Sequence, residues 1–178
     1  MNEINPPMTP PLISARLIDV YKYDGAERIL FDLLLERSTE DDPYVNISHR
    51  KMPTWINHCN FVASKPYWKW YLIEAVSWDN LEKHIELEPG SVNYATAIIG
   101  TCYITRRNEI GIVLLSHYRG TGFGVKAVNE LIRKHKPLKE IPGIRSGRFI
   151  ANINPTNEKS IWLFTKIGFT HLSETYVL

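Results

Sequence analysis

Cysteine is scarce in this chain, and a long apolar run is missing. Cys59 and Cys102 are the only two thiols among 178 residues, and they have no metal-ligand spacing. They predict reduced thiols in a reducing compartment rather than a disulfide framework. No apolar run reaches transmembrane length, and no basic start followed by an apolar stretch marks a secretory signal. The sequence therefore predicts a cytoplasmic protein.

Excess charge is also nearly absent. The formal net charge is +2, which argues against nucleic acid or an anionic membrane surface as a partner. The six histidines are scattered without a shared ligand spacing, so no metal site is predicted. The hydrophobic content of 44% and charged content of 22% are ordinary values for a globular domain.

The chain divides into a proline-rich N-terminal tail over residues 1–11, predicted to be loose, and one domain over residues 12–178. Residue patterns predict a strand, two helices, three strands, a helix, a strand, a helix and a strand, which is an α/β arrangement. The predicted strands are Ile13–Tyr21, Tyr67–Val76, Ala97–Thr105, Glu109–Leu115, Phe149–Ile153 and Phe169–Val177. The predicted helices are one capped by Asp24, one from Thr54 to about Lys65, Gly122–His135 and Glu158–Ile167. The turn-rich stretch Ser77–Thr96 is interpreted as an insertion without chemistry of its own.

The most informative segment is the basic, glycine-rich turn between Leu115 and Phe123. An apolar run ends before it, and a helical pattern begins directly after it. Gly120, Gly122 and Gly124 have no Cβ, so the backbone is able to curl and to approach a ligand closely. Several N–H groups then point into one concavity at the positive end of a helix dipole, and Arg119 adds a full charge. The turn predicts a phosphate or pyrophosphate site, although a glycine-rich helix entry without a ligand is the alternative.

Two motifs resemble the GNAT superfamily of N-acetyltransferases. The pattern Arg-x-x-Gly-x-Gly, formed by Arg119, Gly122 and Gly124, is similar to the acyl-coenzyme A loop of that family. The later block Asn157–Phe169 is similar to its C-terminal motif, in which an Asn precedes a helix that closes on Lys-x-Gly-Phe. Together with Glu109 before the loop, the resemblance is specific over residues 98–170, weaker over 12–76 and lost over 77–96.

The resemblance implies a mixed central sheet with helices on both faces. Its fourth and fifth strands, here Glu109–Leu115 and Arg148–Asn154, would splay apart and admit the thioester end of acetyl-CoA. Little chain remains for a seventh strand, so the acceptor side is either trimmed or completed by another subunit, as in a homodimer. The residues implied to bind acetyl-CoA are Ile112, Val113, Leu114, Arg119, Gly120, Thr121, Gly122, Phe123, Gly124, Asn157, Ser160 and Phe164.

The same resemblance implies direct attack of an amine on the thioester, with placed protein groups and no metal. Glu109 is the candidate base, and the alternative is a solvated glutamate at a hairpin end. The family's usual acid is a Tyr, and the matching position here is Phe164, which has no proton to give. Ser160 is therefore the candidate for protonating the thiolate, unless it merely occupies the first turn of a helix. For Asn157, the alternative to contacting the cofactor is an ordinary N-cap.

The acceptor is predicted to be a primary amine of a small molecule, an amino sugar or a peptide N-terminus. In this fold the segment between the first two helices lies over the acceptor mouth. Ser48, His49 and Arg50 in that segment are candidate acceptor contacts, with Arg50 favouring a carboxylate or phosphate. The alternative is a solvated surface loop. A rival function, favoured by Phe164, is an acyl-CoA sensor that has lost turnover.

Overall fold

The computed structural model describes residues 13–38, 52–77 and 95–172. The strands are β1 (Ile13–Asp19), β2 (Lys69–Ser77), β3 (Ala95–Ile104) and β4 (Ile110–Leu114). The helices are α1 (Ala26–Ser38), α2 (Trp55–Ala63), α3 (Phe123–Lys134) and α4 (Glu158–Ile167). Short 3₁₀ turns cover Val20–Lys22 and Ser116–Tyr118. None of the helices in the described ranges is long and apolar enough to cross a membrane.

The sheet has the strand order β1-β2-β3-β4, and each neighbouring pair is antiparallel. Tyr71 of β2 pairs with Cys102 of β3, which pairs in turn with Ile112 of β4, and these pairs define the register of the three strands. Among the described strands, β4 has a partner on one side only, and the glycine-rich turn follows directly from its C-terminal end. The glycine-rich turn therefore lies at the β4 edge of the described sheet.

Two apolar clusters cover the two faces of the sheet. One cluster joins α1 and α2 to the sheet through buried side chains that include Leu30, Val62 and Leu72. The other joins α3 and α4 to the opposite face and includes Leu131 and Phe164. This layering confirms the predicted α/β fold with helices on both faces, since alternate side chains of each strand reach opposite layers.

Helix ends follow the capping residues of the sequence. The Thr54 side chain accepts the N–H of Asn57, which starts α2 where the sequence predicted it. At the other end of the domain, Gly168 closes α4 and donates its N–H to Phe164 and Thr165. The first helix begins at Ala26, so the cap predicted at Asp24 is wrong by one residue, because Gly25 with its φ of 82° makes the turn.

The turn between β3 and β4 is fastened by Asn108, which is fully buried. Its Nδ2 donates to the carbonyls of Leu138 and Ser146 at 2.9 and 2.6 Å, and its Oδ1 accepts the Leu138 N–H at 2.8 Å. A φ of 64° places its backbone in the left-handed region, which Asn tolerates better than most residues. Asn108 thereby holds the loop after α3 against the sheet.

Two strand predictions need correction. Among the described residues, 149–153 form no strand, and Ile150 alone pairs, through a parallel bridge to Glu109. The apolar residues Phe149, Ala151 and Ile153 pack on the core with strand-like alternation, but no ladder to another described segment accompanies it. Residues 169–172 are also irregular, and the rest of the predicted last strand lies outside the described residues.

Two tryptophans near the start of β2 pack on opposite faces of the sheet. Trp68 precedes β2 and packs on the α3 side, whereas Trp70 belongs to the α1–α2 cluster. At the insertion, Ser77 and Ala95 belong to strands, and residues 78–94 lie outside the described residues, as does the tail over 1–11.

Candidate active site

The glycine-rich turn runs from the 3₁₀ turn at Ser116–Tyr118 into the start of α3. Gly120 and Gly122 have φ angles of 76° and 91°, and a Cβ on either one would meet no atom of the described residues within 4 Å. Their requirement for glycine is therefore conformational, because L side chains rarely adopt this region. Gly122 is the N-cap of α3 and has no side chain with which to cap it.

Free amide groups collect at this helix start. Within the described part of the chain, the N–H groups of Gly120, Thr121 and Gly122 have no hydrogen-bond acceptor. The first amide of the helical pattern to find one is that of Lys126, which donates to Gly122 at 3.2 Å. The N–H groups of the first helical turn have no intrahelical partner, and they lie at the positive end of the helix dipole. The arrangement can accept an anionic oxygen.

Gly124 has a role in helix packing. A Cβ at this position would lie 2.5 Å from Cδ1 of Leu163. Leu163 belongs to α4 and packs against the core. Gly124 therefore permits the close packing of α3 against Leu163, while its predicted contact with the cofactor stays a prediction.

The Arg119 side chain is anchored to the end of β4. Its Nε donates to the carbonyl of Leu114 at 2.9 Å. This bond closes the turn back onto the strand and fixes the guanidinium at the C-terminal end of β4. Arg119 thus shapes the turn as well as charging it.

The outer edge of β4 offers a second set of backbone groups. The Glu109 carbonyl accepts the N–H of Thr105, and the Leu115 N–H donates to Ile99, both at 2.9 Å. Along an edge strand, the backbone N–H and C=O groups of successive residues point alternately toward the neighbouring strand and away from it. Glu109 and Leu115 point theirs toward β3, so Ile112 directs its N–H and C=O away from β3. This edge can take up an extended ligand by main-chain hydrogen bonds.

On the outer edge of β4, the described backbone pairing is limited to the hydrogen bonds of Ile150. The Ile110 N–H donates to Ile150 at 2.8 Å, and the Ile150 N–H donates to Asn108 at 3.0 Å. Beyond Ile150, residues 151–154 form no strand pairing within the described ranges. The predicted splaying of two full strands is not confirmed, because the described residues 148–154 pair with β4 only through the bridge at Ile150.

Glu109 lies beside this first bridge, on the α1–α2 face of the sheet. Its Oε2 accepts the Thr105 hydroxyl at 2.9 Å, and its Oε1 accepts Asn152 Nδ2 at 3.1 Å. The side chain is half-buried. Sequence reasoning missed both partners. A Thr at the start of a turn was a weak signal, whereas Asn152 lies 43 residues from Glu109 along the chain and gave none.

The predicted residues of α4 divide between two environments. Asn157 is the N-cap of α4, since its Oδ1 accepts the Ser160 N–H at 3.0 Å, which matches the ordinary-cap alternative. Ser160 is half-buried in the first turn. Phe164 is 5% exposed, and its ring meets Phe169 edge-on with centroids 5.1 Å apart. Roles of these three residues toward a cofactor stay predictions.

The predicted acceptor contacts Ser48, His49 and Arg50 lie outside the described residues, so their role stays a prediction. Cys59 and Cys102 are free thiols, and burial in the core raises the pKa of Cys102 well above its usual range. The described residues contain no group of three or more His, Cys, Asp or Glu side chains that could hold a metal ion.

Comparisons with known proteins agree with this geometry. Residues 32–170 match the family model of the acetyltransferase (GNAT) domain. A domain from Methanocaldococcus jannaschii DSM 2661 shares the fold with a TM-score of 0.56 and 18% identity, over 93% of this chain and 92% of that chain. The microcin C7 self-immunity acetyltransferase MccE, solved in complex with acetyl-CoA and AMP, aligns with a TM-score of 0.52 and 18% identity, over 88% and 79%. No curated protein sequence matches the chain.

Proposed function

Because the chain belongs to the GNAT acetyltransferase family, we propose that it is an N-acetyltransferase that moves the acetyl group of acetyl-CoA to a primary amine. The observation that carries the proposal is the set of amides at Gly120–Gly122, which find no acceptor in the described part of the chain, next to the outer edge of β4, which no described strand covers. A pyrophosphate needs the first feature, and an extended amide-containing arm needs the second. Both belong to one continuous segment of chain.

Acetyl-CoA would lie along this segment. Its pyrophosphate would accept the N–H groups between Arg119 and Gly124, and its pantetheine amides would pair with Ile112 at the edge of β4. Val113 and Leu114 would line the same strand, with Phe123 and Asn157 at the starts of α3 and α4 and Phe164 further along α4. The chemistry at the thioester would then fall near the bridge between Glu109 and Ile150.

The reaction needs a base and then an acid. Glu109 takes a proton from the acceptor ammonium, and the free amine attacks the thioester carbonyl carbon. The C–S bond breaks as the C–N bond forms, and the departing thiolate receives a proton from Ser160 or from a water that Ser160 holds. The nitrogen of the new amide releases its second proton, which restores this donor through water. The carboxylate of Glu109 supports this role because it is half-buried and lies on the face covered by α1 and α2.

The acceptor is proposed to be a small-molecule, amino-sugar or peptide amine, approached through Ser48, His49 and Arg50. Cys59 and Cys102 are free thiols, which supports a cytoplasmic location, where acetyl-CoA is available.

Arg50→Ala should raise the Michaelis constant for an acidic acceptor and leave the Michaelis constant for acetyl-CoA unchanged. Steady-state kinetics would measure both constants.

One observation favours a rival function, an acyl-CoA sensor without turnover. The position of the family's usual acid is Phe164, which is buried in the core and has no proton to donate. The two functions share the cofactor site and differ in catalysis. A sensor would bind coenzyme A and show no transfer.

The test is an assay of acetyl transfer from acetyl-CoA to a panel of amines, in which release of the coenzyme A thiol is measured. The parent should acetylate at least one amine, and Glu109→Gln should lower kcat about a hundred- to ten-thousand-fold while coenzyme A affinity stays close to the parent's. Binding without transfer to any amine would favour the sensor. Full activity in Glu109→Gln would exclude Glu109 as the base.

A further inference from the structure

The Glu109 carboxylate is held by two hydrogen-bond donors from two different segments. Thr105, at the end of β3, binds Oε2 at 2.9 Å, and Asn152, in the segment that follows the parallel bridge, binds Oε1 at 3.1 Å. The two contacts therefore span the point where β4 and this segment separate. They fix the carboxylate in a direction that neither segment would fix alone.

The direction of the Thr105 bond follows from its other contacts. Its Oγ1 accepts the N–H groups of Arg107 and Glu109, both at 3.1 Å. A hydroxyl oxygen has two lone pairs, and both are used here, so its single hydrogen has to be donated to Oε2. Thr105 can therefore support an ionised carboxylate at Oε2 and cannot accept a proton from it.

Asn152 is different because an amide both donates and accepts. With Nδ2 toward Glu109, it stabilises the carboxylate. After a half-turn of its amide group, Oδ1 would accept a hydrogen bond from a protonated Oε1. Asn152 is exposed, so the core does not oppose this rotation.

We propose that Thr105 and Asn152 are positioning residues for the base, and that they make Oε1 of Glu109 the oxygen that receives the proton. The inference rests on the proposed function. In the step, an N–H bond of the acceptor ammonium breaks, an O–H bond forms at Oε1, and the amine is left neutral. Thr105 keeps Oε2 as an acceptor throughout, while Asn152 turns to accept the new O–H. The proton later passes to solvent as Asn152 turns back.

Several other titratable and charged groups belong to this face. Burial is the main cause that raises the pKa of the Tyr103 phenol, and the Glu109 charge adds to it. Tyr103 stacks on Tyr67 with ring centroids 3.9 Å apart, and the positive charge of Arg37 on α1 acts on both phenols. In the turn, Arg106 donates to the carbonyls of Lys65 and Pro66, away from the carboxylate, and the exposed Arg107 follows it.

The experiment measures the acid limb of kcat/KM against pH, because this limb follows protonation of the free enzyme's base. Removing a donor to an ionised carboxylate favours its protonated form. Thr105→Val should therefore move the limb to higher pH by about one unit, and Thr105→Ser should return it to the parent position. An unmoved limb in a folded, active Thr105→Val enzyme would overturn the proposal.

Variants of Asn152 test the second half. Asn152→Leu removes both donor and acceptor, so it should move the limb to higher pH and lower kcat. Asn152→Asp offers only acceptors and a second negative charge, so it should move the limb further than Asn152→Leu does. The reverse order would overturn the assignment of Oε1.

A matched control comes from the same strand. Thr101 donates to the Tyr71 carbonyl and accepts Trp70 Nε1, both at 2.8 Å, and it has no contact with Glu109 among these bonds. Thr101→Val should lower the melting temperature and leave the acid limb in place. A limb that moves equally in Thr101→Val would show that the shift reports general loosening and would overturn the proposal.

Carboxyl-carbon NMR of labelled glutamate separates this inference from the proposed function. Glu109, identified by its loss in Glu109→Gln, should titrate at higher pH in Thr105→Val and Asn152→Leu without any substrate. If the parent transfers no acetyl group, the proposed function fails, although the titrations still report the two hydrogen bonds. If the parent is active and these titrations do not move, the positioning role fails alone.

Discussion

Gly124 of α3 and Leu163 of α4 approach so closely that a Cβ on the glycine would lie 2.5 Å from the leucine Cδ1. The two helices flank the glycine-rich turn and the Asn157 cap, so this contact sets the spacing of the two halves of the candidate cofactor site. A glycine that the sequence assigned to ligand approach therefore also has a role in helix packing, and its contact with the cofactor stays a prediction.

Gly124→Val should lower the free energy of unfolding by about 1–3 kcal/mol, because the branched side chain overpacks the contact with Leu163. In the Leu163→Ala background the same change should cost less, since the opposing side chain has been shortened. Urea unfolding of the four proteins of this double-mutant cycle gives the coupling directly. Strictly additive costs would contradict the packing role.

Asn108→Asp should destabilise the fold by about 3 kcal/mol, because it sets a buried carboxylate against the carbonyls of Leu138 and Ser146. Asn108→Gly is the matched control, since it keeps the positive φ and removes the bonds without adding charge. Urea unfolding near neutral pH should rank the parent first, the Gly variant second and the Asp variant third. An Asp variant as stable as the parent would show that this side chain does not hold the loop.

The pH dependence of stability should contain a contribution from His135. Burial lowers its pKa below the ordinary value of 6.5, as do the charges of Lys69 and Lys134. The unfolded chain therefore binds this proton more readily, so the stabilisation is complete above about pH 6.5 and is lost as the pH falls below it. His135 also meets the Tyr71 hydroxyl at 2.8 Å through Nε2.

The check is the melting temperature of the parent and of His135→Gln at pH 7.5 and at pH 5.5. The glutamine can still bond to Tyr71 but does not titrate, so its melting temperature should fall less between the two pH values. An equal fall in melting temperature in both proteins would show that His135 does not contribute to the pH dependence of stability.

Ser160→Ala should slow turnover without unfolding the protein, because the Ser160 contact given by the structure uses its backbone N–H, which the alanine keeps. The reduction should appear in kcat, and the melting temperature should stay near the parent's. Phe164→Tyr should restore part of the rate if its hydroxyl reaches the thiolate. Full activity of Ser160→Ala with every amine would show that water protonates the leaving group.

Local signals in the sequence predicted much of the fold. The bounds of α4 were predicted to the residue, because Asn157 and Gly168 are strong start and stop signals. The Thr54 cap and the apolar face of α3 were likewise readable from short spacings. The glycine-rich turn was found in the same way, since its φ angles depend on the residues of the turn itself.

Contacts between distant segments account for what was missed. The packing of Gly124 depends on Leu163, and one of the two donors to Glu109 is Asn152, and no local pattern predicts either partner. The segment at residues 149–153 has the alternation of a strand, yet within the described ranges Ile150 alone finds a backbone partner. Alternation reports burial on one side and does not report whether a neighbouring strand is present.

The most direct test of the account is calorimetric titration of acetyl-CoA into the parent and into Gly122→Val. Gly122 has a φ of 91°, and a Cβ at this position meets no atom of the described residues within 4 Å, so valine acts through the conformation of the turn. The parent should bind one equivalent of acetyl-CoA, and Gly122→Val, with its helices intact by circular dichroism, should lose that binding. A parent that does not bind acetyl-CoA, or a Gly122→Val variant that binds it as tightly as the parent, would contradict the assignment of this turn as the cofactor site.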